Sequence, residues 1–153
     1  MMKLTKYWIG VASLDHVELG VEGGFSQLCH GKEAPLKRMK PGDWLIYYSP
    51  KQTLGSDAKC QCFTAIGRVK GAEIYPFAMS ETFVPYRKDI DFFPDAKLVP
   101  LHAISQLEAW QKYRSSLRYG HFEIDKDFFL VIAEQMGLPM KYETSKGVVN
   151  DGE

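Results

Sequence analysis

The segment Lys40-Pro41-Gly42-Asp43 constrains this chain more than any other. It puts Pro and Gly at the two central positions of a type II turn, where a fixed φ and a positive φ are required. The turn launches Trp44-Leu45-Ile46-Tyr47-Tyr48-Ser49, a strand whose apolar residues are mainly aromatic, and Pro50 closes it at a polar corner. Gln61 to Val69 supplies a second strand after a polar loop over 51–59, so the two are expected to pair as an antiparallel hairpin. Strict alternation would put Trp44, Ile46 and Tyr48 on one face, with Leu45, Tyr47 and Ser49 on the other. In the partner strand, Phe63, Ala65, Gly67 and Val69 would face opposite to Cys62, Thr64, Ile66 and Arg68.

Upstream, Tyr7 to Ala12 reads as another strand, with Trp8, Gly10 and Ala12 sharing a face. Gly10 leaves room there for a close approach. Ser13 is a candidate N-cap for a short helix holding His16, Val17 and Leu19, which Gly20, Gly23 and Gly24 should break. Phe25 to Cys29 is expected to be helical or irregular. Weaker strands are predicted over 73–77 and 82–91. Leu101, Ile104, Leu107 and Trp110 recur at helical spacing. A final helix starts at the N-cap Asp125, with Ile124 and Phe129 as a hydrophobic staple, and stops at Gly137 and Pro139. These elements predict a small α+β domain over 1–140: a curved, mostly antiparallel sheet forming a barrel, with flanking helices. A polar tail over 141–153 is expected to fray.

The 153 residues suffice for one domain with a real core. Lys and Arg balance Asp and Glu at a formal net charge of zero, which excludes a protein that coats nucleic acid through bulk charge. Nucleic-acid binding would need a local basic patch and would be salt-sensitive. Cys29, Cys60 and Cys62 are odd in number and do not suggest a disulfide framework. Cys60 and Cys62 share a strand face, but no second pair completes a metal site, and no metal or other cofactor is expected. No apolar run approaches the ~20 residues of a membrane span. The start of the chain has no signal-peptide pattern, so a cytoplasmic location is the default expectation.

Aromatics beside glycines and short polar groups suit gripping a flat, partly polar ligand such as a nucleobase. Trp8, Phe25, Tyr47 and Tyr48 are the candidate stacking faces, and alternation prevents all of them from lining one pocket. Tyr48, Ser49 and Pro50 are favoured because a strand end can present them at an opening, while Trp44 reads as core. Asp15 and His16 can either read a base edge or cap and solvate their helix. His30 and Lys32, around Gly31, can meet a phosphate or simply form a turn. Lys37 and Arg38, and Arg87 with Lys88, are short basic runs that would suit a strand-binding groove if they flank an aromatic site. No Ser elbow, P-loop, dinucleotide fingerprint or HExxH occurs, and Cys29-His30 is a weak dyad because adjacent side chains diverge. The chain is therefore read as a binding module and not an enzyme. A protein that binds a small heteroaromatic metabolite, or a cysteine-dependent enzyme, stands as the alternative.

The order YWIGVAS, GGFSQLCHGK, KPGDWLIYYSPK and FTAIGRV resembles the EVE domain, a member of the PUA-like superfamily related to the YTH readers of methylated adenine in RNA. The resemblance runs from about Tyr7 to Met136 and is to the stand-alone prokaryotic type. It implies a pseudo-barrel with a pocket between the first helical insert and the sheet. That pocket would hold a flipped-out or single-stranded base of DNA or RNA carrying a methylated cytosine or adenine. Carried onto Gly24-Phe25-Ser26, the resemblance makes Phe25 a cage wall and Ser26 a polar contact. The corner Ser13-Leu14-Asp15-His16 would read the base edge, and Tyr48-Ser49-Pro50 would form the opposite side.

Overall fold

A computed structural model describes residues 4–139. The tail expected at 141–153 lies outside them. Its elements run β1 (Tyr7–Val11), α1 (Leu14–Gly23), β2 (Phe25–Ser26), α2 (Ala34–Arg38), β3 (Trp44–Lys51), β4 (Lys59–Pro76), β5 (Tyr86–Phe92), β6 (Val99–Pro100), α3 (Glu108–Tyr113), β7 (His121–Ile124) and α4 (Lys126–Gln135). The strands form one mixed sheet in the order β2-β5-β4-β3-β1-β7, with β6 pairing β4. Only β1 and β3 run parallel; the other pairs are antiparallel. A parallel pair needs a crossover, and α1, β2 and α2 supply it. This is the expected α+β fold, a mostly antiparallel sheet with flanking helices.

The Pro41-Gly42 turn forms as anticipated: Asp43 N–H donates to the Lys40 carbonyl at 2.9 Å, and Gly42 sits at φ 92°. The Asp43 carboxylate is fully buried and ties the turn to β1. It accepts from Lys40 N–H at 2.9 Å, Lys6 N–H at 3.1 Å and Trp8 Nε1–H at 3.1 Å. Alternation on β3 splits the interior into two apolar cores, one on each side of the strand. Trp44, Ile46 and Tyr48 join Tyr7, Ile9, Trp110, Phe128 and Phe129 beneath α3 and α4. Leu45 and Tyr47 join Trp8, Val17, Leu28 and Leu36 beneath α1 and α2.

Several elements depart from expectation. Helix α1 runs through Gly20 to Gly23, because those glycines let it press on Phe25: a Cβ at Gly23 would lie 2.5 Å from the ring, and one at Gly20 2.7 Å from the Phe25 carbonyl oxygen. Phe25-Ser26 is a strand paired with Asp89-Lys88, not a helical segment. β4 spans 18 residues and absorbs the weak strand predicted over 73–77. A bulge between Tyr47 and Tyr48, whose partners are Ala65 and Phe63, leaves Thr64 unpaired and reverses the strand's alternation. Phe63 therefore shares a core with Ile66, and Ala65 and Val69 face the other one. The segment 101–119 is broken into a 3-10 turn, the short α3 and a second 3-10 stretch. Helix α4 has its predicted N-cap, Asp125 accepting from Phe128 N–H at 2.8 Å.

Candidate functional site

A cavity of about 510 Å³ opens where five parts of the chain meet. They are the end of β1 with the start of α1 (Val11 to Ser13, His16), the turn after β2 (Gln27, Cys29 to Lys32), Leu54 from the β3–β4 loop, Phe83 from the β4–β5 loop, and Leu117 to Gly120 before β7. Its volume lies within the ~300–1,000 Å³ of small-ligand sites. A recess of about 20 Å³ adjoins it, bordered by Ala12, His16, Leu19, Gly20, Phe25, Gln27, Tyr47 and Met79. That is room for roughly one water- or methyl-sized group. Ala12, His16 and Gln27 border both spaces.

The turn after β2 is wound left-handed, with φ of 50° at Cys29, 62° at His30 and 84° at Gly31. Such φ values cost of order 1–3 kcal/mol at non-glycine residues, and the surroundings must enforce them. Two contacts do so. A Cβ at Gly31 would fall 2.3 Å from Pro85 Cβ, so the β4–β5 loop closes directly on the turn and brings Phe83 to the cavity. Cys29 Sγ–H points to the Tyr119 carbonyl at 3.7 Å, which joins the turn to the opposite wall. That wall is fixed in turn by Val11 N–H donating to the Gly120 carbonyl at 2.9 Å.

Electrostatically the cavity is one-sided. Lys32 and Arg118 line it together with the imidazoles of His16 and His30, and among the described residues no Asp or Glu lines it. Asp15 lies just outside; its carboxylate accepts from Ser13 Oγ–H at 2.6 Å and from His16 N–H at 2.9 Å. The Ser13 hydroxyl holds the Asp15 carboxyl below its ordinary range. Tyr47 Oη accepts from Gln27 N–H at 3.4 Å, and burial pushes its phenol well up.

Of the base-reading residues expected from sequence, Ser13 and His16 line the cavity, and Phe25 borders only the recess. Trp8 does not reach either space. It is 5% exposed, donates its indole N–H to Asp43 and stacks on His121 at 4.7 Å and 9°. Tyr48, 3% exposed, packs in the α3–α4 core against Phe63 at 5.3 Å, because β3 continues to Lys51 and its alternation puts Tyr48 on the face of Trp44 and Ile46. Ser49 is buried against Thr64, their hydroxyls 2.8 Å apart, and Pro50 lies within β3 away from the cavity. Ser26 Oγ–H is engaged by the Lys88 carbonyl at 3.1 Å. The Phe25 ring is covered by the Arg87 guanidinium 3.8 Å from its centroid, so it does not present an open stacking face.

The phosphate candidates divide similarly. His30 and Lys32 line the cavity. Arg87 is buried between Phe25 and Phe77, each 3.8 Å away, and its Nε–H donates to Gln27 Oε1 at 3.0 Å. Lys88 is also buried, donating to the carbonyls of Leu36 and Met39 at the end of α2. Lys37 is exposed and pairs with Glu33 at 3.9 Å, while Arg38 is exposed; neither lines the cavity. Sequence reasoning missed Gln27, Leu54, Arg118 and Tyr119. The signal for the last two was Arg-Tyr ahead of Gly120, an aromatic and a cation beside a turn glycine.

Among the described residues Cys29 makes no hydrogen bond to an imidazole, and Cys62 Sγ–H points to the Cys60 carbonyl at 3.2 Å. Among the described residues no helix is long and apolar enough to cross a membrane.

The profile of the EVE domain matches residues 6–135. A UPF0310 protein of Streptococcus sanguinis is 51% identical over 135 residues, covering 88% of this chain and 96% of that one. Among solved structures, a hypothetical protein from Leishmania major superposes with a TM-score of 0.60 at 11% identity, covering 88% of this chain and 96% of that one. Human THYN1, solved in complex with DNA containing 5-methylcytosine, gives a TM-score of 0.51 at 11% identity over 86% of this chain and 98% of its own. With the profile spanning most of its length and a relative at half identity, this chain belongs to the EVE domain family.

Proposed function

We propose that this protein is a non-catalytic nucleic-acid-binding module that holds one modified base, of the methylated cytosine or adenine class, in the cavity beside α1. The observation that carries the proposal is the cavity's makeup. It is large enough for a base, lined among the described residues by apolar and aromatic side chains with cations and neutral polar groups but no carboxylate, and joined to a methyl-sized recess walled by Phe25, Tyr47, Leu19 and Met79. Gln27 and His16 stand at the junction, where a base edge would meet them while a methyl group entered the recess. Lys32 and Arg118 would take the flanking phosphates. The DNA complex of human THYN1, which shares the fold, supports this class of ligand. Extracting a base from a duplex costs a few kcal/mol, so single-stranded or destabilised sites should bind better.

The test is fluorescence anisotropy with matched single-stranded oligonucleotides, unmodified or carrying methylated cytosine or methylated adenine, at two salt concentrations. The proposal expects preference for one modified base, weakening with salt, and loss of that preference in Gln27→Ala. The oligonucleotide should be recovered chemically unchanged. Equal binding to all oligonucleotides would reduce the function to an electrostatic surface. No binding at either salt would favour a heteroaromatic metabolite, which the cavity volume also accommodates.

A further inference from the structure

We infer that Tyr119, with Arg118 against it, is a second stacking platform at the mouth of the cavity. It would take the nucleotide next to the one inside, so that the ligand is a single-stranded oligonucleotide and not a free base or nucleoside. The inference rests on the base-binding reading above.

Tyr119 combines an exposed ring with a fixed backbone. Its ring is 60% exposed and belongs to neither apolar core, so it contributes little to folding. Its backbone, by contrast, is held from several directions. The Tyr119 carbonyl faces Cys29 Sγ–H, the Gly120 carbonyl accepts from Val11, and Gly120 N–H donates to the Leu117 carbonyl at 3.1 Å. Gly120 sits at φ 77°, and a Cβ there would lie 3.0 Å from Cys29 Sγ, so the turn that aims the ring is tightly packed. A rigidly mounted, solvent-facing aromatic at a cavity rim loses little entropy when a flat group stacks on it.

Arg118 supplies the charge. Its guanidinium lies 5.0 Å from the Tyr119 ring centroid, and its Nη2–H donates to Tyr119 Oη at 3.0 Å. The guanidinium is thereby held at the cavity mouth, where the phosphate linking two nucleotides would run. Aromatic stacking and a nearby cation are the paired elements of single-strand recognition, and stacking tolerates any base because each has a π-face. A free base would leave both elements idle.

The test compares the nucleoside 5-methyldeoxycytidine with a single-stranded DNA heptanucleotide carrying one central 5-methylcytosine, and with its RNA counterpart, using wild type, Tyr119→Ala and Tyr119→Phe. Thermal melting controls for folding, and the exposed Tyr119→Ala variant should melt with wild type. The expected result is tighter binding of a heptanucleotide than of the nucleoside. Tyr119→Ala should weaken the heptanucleotide by roughly 5- to 150-fold and the nucleoside by a clearly smaller factor, and Tyr119→Phe should restore most of the loss. The DNA and RNA arms show which sugar is accepted, and the same ring effect is expected in the arm that binds. An unchanged heptanucleotide affinity in Tyr119→Ala overturns the inference and leaves the base-binding reading standing. Equal losses for nucleoside and heptanucleotide also overturn it, because Tyr119 would then be a wall of the base site itself. Failure of wild type to bind either ligand, or the same two ligands carrying methylated adenine instead, removes both readings.

Discussion

His121 illustrates how a single side chain can be fixed by packing against its own chemistry. Its ring is buried on β7, stacked on Trp8, and among the described residues neither nitrogen has a hydrogen-bond partner. Burial, helped by the positive charge of Arg38, depresses its pKa to about 3. The unfolded chain binds that proton near pH ~6.5 and the folded chain does not. Stability is therefore complete above the unfolded value and declines as pH falls from there toward about 3. Wild type should lose about 2 kcal/mol more than His121→Phe between pH 7 and pH 5, read as a difference in urea midpoints. Asp43→Ala should lower stability by about 2–4 kcal/mol at neutral pH, since three donors lose their buried acceptor; the check is a denaturant titration. The sequence read at this scale showed which residues were aromatic, but not which were already engaged. Trp8 looked available until Asp43 was seen to take its indole N–H, and Phe25 until Arg87 was seen to cover it. Both partners come from distant parts of the chain, so no local pattern announces them.

At the scale of elements, turn chemistry and capping were legible because they are local. Pro41-Gly42 made its turn, and Asp125 capped its helix. The face assignment of β3 followed from alternation alone. The same logic failed on β4 because the bulge at Thr64 adds one residue, and nothing in the sequence marks the position at which parity flips. β2 was not readable either, since two residues carry no periodicity and the strand exists only through its pairing with β5. The left-handed turn at Cys29 to Gly31 belongs here as well, being held by the loop that closes over it. Gly31→Ala should cost about 2–4 kcal/mol, because the added Cβ meets Pro85 in a backbone region that L-residues avoid. Thermal melting checks the stability. Separately, the same variant should bind the modified oligonucleotide more weakly even well below its melting point.

Across the whole molecule, the neutral net charge concealed a local asymmetry. Nineteen cations balance nineteen anions overall, yet among the described residues no carboxylate lines the cavity. The basic runs that stood out in the sequence are partly used inside the protein. Arg87 and Lys88 hold β5 to its neighbours, whereas Lys32, already a phosphate candidate in the sequence, and Arg118, which was not, reach the site. Lys32→Ala and Arg118→Ala should each flatten the salt dependence of oligonucleotide binding by about 0.7 in logarithmic slope. Arg38→Ala, away from the cavity, should leave the slope unchanged. The central claim is that the cavity beside α1 receives the base. Its most direct test is a two-dimensional amide NMR titration of the protein with a single-stranded oligonucleotide carrying 5-methylcytosine. The account predicts shifts concentrated at Ser13, His16, Gln27 to Lys32 and Arg118 to Gly120. Shifts confined to surfaces remote from these residues, such as the exposed side of α4, would contradict it.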